Sequence, residues 1–452
     1  MFKKETLYEM IDWAIQAADN RPIHVIVRSQ AEGLTRFANS EIHQNVFEDR
    51  TDVQIVLLDE KKRSTVSTNK ITQEGIEQAV KEAIENLSFL PEGDAPPALV
   101  DSPDLMEMDR FEPTLEEAFD EEKRAVLLGQ ELDKIILPYK AFGQISYKEN
   151  SMVIGNSTGI RRFFRGNSVN LSVLISHDDG ASGFASGVAN APAELDIAQV
   201  FTKAYDKAKM NHNPETIHIG AYTVVLEPQA VFNLMMYTTL LGFSAKNLQQ
   251  KMSFLTDRLG EKVFDEKITI KDDWQSEAAP GMPFDMEGTP RTQLTLIENG
   301  VAKEVAYDSE SAAKEGKKST GHSAGMGFFG GAIPTNLVMK TGEKTLEQII
   351  AETENGLLVT RFHYMNPVNP RQVLLTGLTR DGFYKIENGK ITGAVANMRM
   401  TESMLKAFNQ VAEISSDTER ISAFFANVQI PAMKIENFHF TGQTSIREPG
   451  QT

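Results

Sequence analysis

Apolar residues recur three and four positions apart at Leu7, Met10, Ile11 and Ala14, which predicts an amphipathic helix near the start of the chain. Thr6 with Glu9 reads as its capping box, and Arg21 before Pro22 should end it near Asn20. β-rich runs follow at 24–28, 34–37, 42–46 and 53–58, then at 64–68 after a polar turn at 59–62. Ile76, Val80, Ile84 and Leu87 mark one face of a second helix. Helix, strands, helix is the order of a two-layer α+β unit, here spanning 1–90.

Pro91 to Pro97, with Gly93 and the Pro96-Pro97 pair, reads as a linker. Thr114 with Glu117 predicts the start of a long helix carrying Leu115, Phe119, Val126 and Ile136. Past Gly143 the pattern turns to hairpins. Runs at 151–155 and 160–164 flank Asn156-Ser157-Thr158-Gly159, and runs at 167–176 and 181–187 flank His177-Asp178-Asp179-Gly180. A helix over 197–210 closes a middle unit at 98–212. From 218 to 452 strand and turn dominate: Asn299-Gly300 and Asn388-Gly389 predict type I′ hairpins, and Thr345 with Gln348 opens a helix closing at Asn355-Gly356. The expected class is α+β, an N-terminal two-layer helix/sheet region followed by a large β-rich C-terminal domain.

Composition narrows the function classes. A chain of 452 residues exceeds one ordinary core, and 41% hydrophobic with 24% charged residues is a globular balance. The net charge of −17 disfavours nucleic-acid binding, which needs a basic face. Lys61-Lys62-Arg63 and Arg161-Arg162-Phe163-Phe164-Arg165 sit by turn signals and read as solvated strand ends. The absence of cysteine excludes disulfides, thiolate nucleophiles and sulfur-ligated zinc. The N-terminus shows no apolar leader core, and no run reaches the roughly 18 apolar residues of a membrane span. A cytoplasmic location is expected.

Gly321-His322-Ser323-Ala324-Gly325 fits G-x-S-x-G, but a polar, basic stretch precedes it and a glycine-rich one follows, where a nucleophile elbow needs strand and helix. A loop is the simpler reading. Gly155-Asn156-Ser157-Thr158-Gly159 fits the same pattern inside a hairpin turn. No histidine is followed by Glu, and Asn213-Pro214 separates the neighbours His212 and His218, so no helix-borne zinc pair exists. A composite site from distant histidines and carboxylates stays open. The glycines at 325–331 lack the Lys-Ser/Thr end of a P-loop. Asp178-Asp179 and Asp272-Asp273 read as turn residues.

Several ordered blocks carry a resemblance. Gly33-Leu34-Thr35-Arg36-Phe37-Ala38-Asn39-Ser40-Glu41-Ile42-His43-Gln44 is similar to the N-terminal signature of TldD/PmbA proteins. Ser253-Phe254-Leu255, Leu259-Gly260-Glu261-Lys262-Val263-Phe264, Glu287-Gly288-Thr289-Pro290-Arg291 and Gly356-Leu357-Leu358-Val359-Thr360 resemble C-domain blocks of that family. The resemblance implies a helix after the strand opening the C-terminal domain, where catalytic members place HExxxH together with a distal cysteine ligand. Here that window, 234–239, reads Leu-Met-Met-Tyr-Thr-Thr. The expectation is therefore a PmbA/TldE-like, non-catalytic component of a peptidase system. It would form a homodimer, or a heterodimer with a TldD-like catalytic subunit, with a peptide as substrate. No cofactor is expected in this chain, zinc belonging only to a catalytic partner. Alternatives are an active hydrolase built on Ser323 or dispersed histidines, and an interaction or modulator protein without a peptidase role. Candidate contact residues for substrate or partner are His322, Ser323, Arg361, His363, Arg380 and Asp381.

Overall fold

Side-chain alternation of period two organises the N-terminal half. The computed structural model describes residues 1–92, 98–101, 105–325, 331–423 and 426–443, so most of the 91–97 linker and the glycine-rich stretch 326–330 lie outside the described residues. The chain runs α1 (Lys4–Ala17), β1 (Ile23–Ala38), β2 (Glu41–Asp59), β3 (Lys62–Thr68), α2 (Gln73–Phe89), β4 (Met106–Arg110), α3 (Pro113–Ala118) and α4 (Glu121–Leu132). It continues through β5 (Tyr139–Asn156), β6 (Arg161–His177), β7 (Ser182–Ala189) and α5 (Ile197–Met210). These strands form one sheet, ordered β3-β2-β1-β5-β6-β4 with β7 on β6. Residues 1–90 and 98–212 thus share a sheet, since β1 pairs antiparallel with β5 from His24↔Asn156 to Phe37↔Gly143.

Val25, Val27, Ala31 and Phe37 of β1 share a face with Ile145, Tyr147 and Val153 of β5, and helices cover it. At one end α1 and α2 bury Leu7, Ile11, Ile76 and Val80; at the other α3, α4 and α5 bury Leu115, Leu128, Phe201 and Ala204. The opposite face is polar along its middle.

The C-terminal half comprises β8 (Gly220–Leu226), α6 (Pro228–Gly242), α7 (Ala245–Gln249), β9 (Ile270–Asp272), β10 (Leu294–Glu298), β11 (Val301–Ala302), α8 (Ser309–Lys314), β12 (Leu337–Met339) and α9 (Leu346–Ala351). Next come β13 (Asn355–Asn369), β14 (Leu374–Glu387), β15 (Lys390–Ala394), β16 (Met398–Ser403), α10 (Met404–Ala407), β17 (Val411–Ala423) and β18 (Ala426–Gln443). Within its 11-stranded sheet, β8 pairs with both β13 and β18, and β14 and β16 complete the circuit, so five strands close into a ring. Closure satisfies backbone groups that an edge would expose. Helix α6 packs on β13, β17 and β18, burying Ala230, Val231, Leu234, Met235 and Thr238. A helix apolar on nearly every side belongs inside a core.

The α+β class and the β-rich C-terminal half are as expected, and several boundaries move. Helix α1 starts at Lys4 with Lys3 as an N-cap lacking a side-chain bond, so Thr6 lies inside its first turn. The runs at 24–28 and 34–37 are one strand, because buried Ala31 and Phe37 carry the alternation across the polar stretch. The helix read from Thr114 is two: Glu112 caps α3, Asp120 restarts the chain as α4, and Val126 and Ile136 are exposed. Both Asn-Gly turns adopt the positive φ that type I′ requires, 46° and 77° at Asn299 and Gly300, 50° and 74° at Asn388 and Gly389. Thr345 and Gln348 form the expected capping box, but α9 ends at Ala351.

Gly33 of β1 lies directly against the buried side chain of Arg124 in α4. A Cβ at Gly33 would sit 2.4 Å from Arg124 Nη1. The guanidinium donates from Nε to Thr35 Oγ1 (3.2 Å) and from Nη1 to the Phe119 carbonyl (2.6 Å). Gly33→Ala should displace this group and cost roughly 1–3 kcal/mol of stability. Urea unfolding tests this, and an unchanged midpoint would show that Arg124 can move aside freely.

Candidate functional site

The six residues singled out in the sequence fall in two places. His322 and Ser323 lie in the loop beyond α8, where His322 is fully buried. Its Nδ1 is 3.0 Å from Thr320 Oγ1 and its Nε2 is 3.3 Å from Asp272 Oδ1. Asp272 also accepts the backbone N–H groups of Thr335 and Asn336. Burial would raise the Asp272 carboxyl, but the His322 hydrogen bond, the charges of His322 and Arg291, and the Asn336 N–H outweigh it and hold it below the usual range. Both imidazole nitrogens are thus engaged away from Ser323. Ser323 Oγ instead accepts the Gly325 N–H (3.2 Å), and its own N–H goes to Asp285 Oδ2 (2.8 Å). A serine nucleophile needs a base aimed at its oxygen, and His322 is not so aimed.

The other four residues gather on the β13–β14 ladder, where Arg361 pairs with Arg380. Asp381 is buried and left-handed at φ 54°. It takes a two-pronged ion pair from Arg361, one prong being Nε at 2.8 Å, and accepts the Ser182 hydroxyl at 2.9 Å. The Arg361 guanidinium lies 3.9 Å over the Phe184 ring, so this cluster ties β14 to β7 of the N-terminal half. Arg380 Nη1 donates to His363 Nδ1 (3.0 Å); burial first, then the Arg380 and Arg361 charges, lowers the His363 imidazole.

Sequence reading missed a cavity of about 120 Å3 between the halves, lined by His24, Gln54, Arg63, Lys246, Glu287 and Ser323 among others. His24 Nε2 lies 2.9 Å from the Met286 carbonyl, and burial pushes its imidazole down to about 4. Glu287, half-buried, lines the same cavity, and Asp285 two residues before it is fully buried. Desolvation, then the Glu287 charge, raises Asp285; desolvation raises Glu287, with Asp308 adding repulsion. Asp285 accepts the N–H groups of Ser323, Thr289 and Glu287, and Glu287 accepts the Ser309 N–H, which offsets part of the desolvation of the pair. The Asp-x-Glu spacing at 285–287 was the one signal in the sequence, and it is weak without the cavity.

A larger space of about 710 Å3 opens where the polar face of the N-terminal sheet meets the C-terminal half. Gln30, Gln144, Lys148 and Asn170 line it from one side, Gln229 and Asn427 from the other. It is rich in amide donors and acceptors and can hydrogen-bond an extended backbone.

These features sit on a recognisable scaffold. Residues 219–442 match the PmbA/TldA metallopeptidase C-terminal domain, and residues 25–87 match PmbA/TldA metallopeptidase domain 1. The chain belongs to the PmbA/TldD family. It is 22% identical over 456 residues to metalloprotease PmbA of Escherichia coli O157:H7, covering 96% of each chain. An uncharacterized protein of Methanocaldococcus jannaschii is 34% identical over 200 residues, 44% of this chain, and the chain spans only 46% of that relative's length. TldE from Thermococcus kodakarensis shares the fold at a TM-score of 0.85 and 21% identity, over 97% of this chain and 100% of that one.

The metallopeptidase name implies a metal, and the helix to test is α6, which follows β8. Its residues, PQAVFNLMMYTTLLG, include no His, Asp, Glu or Cys. Asn233 Oδ1 accepts the Phe362 N–H (3.0 Å), and Thr238 Oγ1 donates to the Leu234 carbonyl (2.9 Å). These residues do not fit a zinc centre. Among the described residues, metal-ligating groups converge elsewhere, at His177, Asp179 and His212.

Two outcomes follow from this geometry. Asp381→Asn keeps the left-handed backbone accessible and removes only the charge opposite Arg361. It should cost about 2–3 kcal/mol, less than a fully buried pair because Arg361 retains some solvent contact. Chemical denaturation checks this, and a loss below about 0.5 kcal/mol would class the pair with surface bridges. Because folding raises the Asp285–Glu287 pair, its contribution to stability is full near the usual carboxylate value of about 4 and fades as pH climbs through the folded value. His24 works oppositely, its contribution being lost as pH falls from about 6.5 toward about 4. Glu287→Gln mimics the protonated pair and leaves His24 in place. Its melting temperature relative to the parent should rise between pH 5 and pH 8, both about within the range of perturbed carboxyls. A pH-independent difference would show that the pair does not titrate in this range.

Proposed function

We propose that this chain is a non-catalytic, dimer-forming component of a PmbA/TldD-type metallopeptidase system acting in peptide degradation or processing. The observation carrying this reading is α6: Leu234, Met235 and Thr238 are buried in the core, on the helix that the family resemblance assigns to zinc. The polar chamber supports a peptide-handling role, since Gln30, Gln144 and Gln229 offer hydrogen bonds without a hydrolytic group among them. The chain would join a second copy or a TldD-like subunit that supplies the zinc chemistry. No described helix is long and apolar enough to cross a membrane.

The test uses the pure full-length chain and a TldD-like subunit carrying the HExxxH motif. Alone, the chain should leave a mixed peptide library intact. Mixed with the partner, it should co-elute in gel filtration and change the rate or selectivity of cleavage. Chelator-sensitive hydrolysis by the pure chain would overturn the proposal, as would two chains that neither associate nor influence each other's activity.

A further inference from the structure

We infer that His177, Asp179 and His212 form a binding site for one divalent transition-metal ion of the zinc or cobalt type. The three residues come from two segments remote in sequence. His177 ends β6, Asp179 lies in the turn to β7, and His212 lies just past α5. Their potential ligand atoms all fall within 4.8 Å of one another. The site is separate from α6 and does not depend on the peptidase reading.

The arrangement converges on one carboxylate. Asp179 Oδ1 lies 2.8 Å from His177 Nδ1, and Oδ2 lies 2.6 Å from His212 Nδ1. The rings meet nearly perpendicular, centroids 4.5 Å apart at 86°, which turns both Nδ1 atoms toward the carboxylate without stacking. His177 Nδ1 also lies 3.2 Å from the Asp179 backbone N, so this ring edge faces both the amide and the carboxylate of that residue. Either a proton on the imidazole or a metal ion can bridge nitrogen and oxygen at that separation. A divalent ion would serve both imidazole nitrogens at once, with the carboxylate supplying charge.

The surrounding contacts are those that orient metal ligands. His212 Nε2 stands 2.7 Å from the Tyr139 hydroxyl. An imidazole binding metal through Nδ1 carries its proton on Nε2, and a partner for that N–H fixes tautomer and ring angle. The Ala181 N–H donates to Asp179 Oδ1 at 2.9 Å and holds the carboxylate. The adjacent Asp178 pairs with Lys140 at 3.0 Å and stands outside the set. Zinc–ligand bonds of about 2.0–2.2 Å place tetrahedral ligands about 3.4 Å apart, so the present contacts open by less than about 1 Å. The half-exposed Asp179 and the two partly exposed imidazoles can make that adjustment, leaving the fourth position to water.

Such an ion would pin the β6–β7 turn to the point where the chain leaves α5 for the C-terminal half. Asn211 already donates to the Ser182 carbonyl there (2.9 Å), and Ser182 reaches Asp381. The ion would therefore brace the junction between the halves.

The test is a titration of Co2+ alone into chelator-treated full-length protein at neutral pH. Calorimetry should give one ion per chain, with a visible ligand-field spectrum that Zn2+ abolishes by displacement. His177→Ala, His212→Ala and Asp179→Asn should each weaken binding about tenfold or more. Asp178→Asn should leave it unchanged, and Tyr139→Phe should weaken it less than loss of a ligand. Zinc should raise the melting temperature of the parent and not of the His177→Ala/His212→Ala double variant. Parent protein that takes up no Co2+ at saturation would overturn the inference, leaving the cluster as two imidazoles hydrogen-bonded to one carboxylate. So would binding that survives in the double variant.

Discussion

Strand β1 hydrogen-bonds to β2 on one side and to β5 on the other from residue 24 to residue 37, so one alternation of side chains runs through the middle of the N-terminal half. A slip of one residue would send Val25, Val27 and Phe37 to the wet face and Gln30 into the helices. Local devices pin the register. Gly33 leaves room for Arg124, and Asn39 and Ser40 turn the chain at positive φ, 53° and 63°. Ser40 then fastens that turn to β5, its N–H donating to the Ala141 carbonyl and its Oγ accepting the Ala141 N–H. Much of the block at 33–44 that resembles the family signature is therefore a register lock.

With register set, the sheet's second face becomes the seam on which the C-terminal half sits. Ile26, Ile154 and Ile160 meet Phe284 there in a small apolar cluster, and Arg162 Nε donates to the Gly288 carbonyl at 3.0 Å. Further along, Tyr384 donates to the Lys207 carbonyl (2.8 Å), and Lys207 pairs with Glu227 at 2.5 Å. The contacts across the seam are mostly polar, unlike the extended apolar core inside the ring of strands. Polar seams stay sensitive to protonation and charge in a way that apolar cores do not. The Asp285–Glu287 pair and the Arg361–Asp381 pair both lie on this seam, with the chamber opening along it.

What the sequence made legible was what local chemistry decides. Asn299-Gly300 and Asn388-Gly389 require positive φ, His177-Asp178-Asp179-Gly180 breaks a long alternation, and the α5 stripe repeats cleanly; each became the expected element. Thr6 and Thr114 misled because capping chemistry competes with neighbours: Glu112 and Asp120 cap the helices near Thr114, and nothing caps α1. Arg361, Arg380, His363 and Asp381 proved to be neighbours because an antiparallel ladder brings 361 opposite 380. His322 and Ser323 are adjacent in sequence yet turned to different partners, which only the positions of Asp272 and Asp285 reveal. The convergence of His177 with His212 was hidden for the same reason, since α5 must fold onto the sheet before the two rings meet.

The position of α6 explains how this scaffold can persist without zinc-binding side chains on the helix. The ring of β8, β13, β14, β16 and β18 needs something apolar against it, and α6 supplies Ala230, Val231, Leu234 and Met235. A histidine or glutamate at those buried places would need a metal or a hydrogen-bonding partner to offset desolvation. Leucine and methionine need neither, and methionine adapts to irregular gaps. The stability of the ring is thereby separated from any chemistry at its centre. Titratable groups gather instead at the seam, where burial shifts His24 and Asp285, and at the β6–β7 turn, where partial exposure of His177, Asp179 and His212 lowers the desolvation cost of charge.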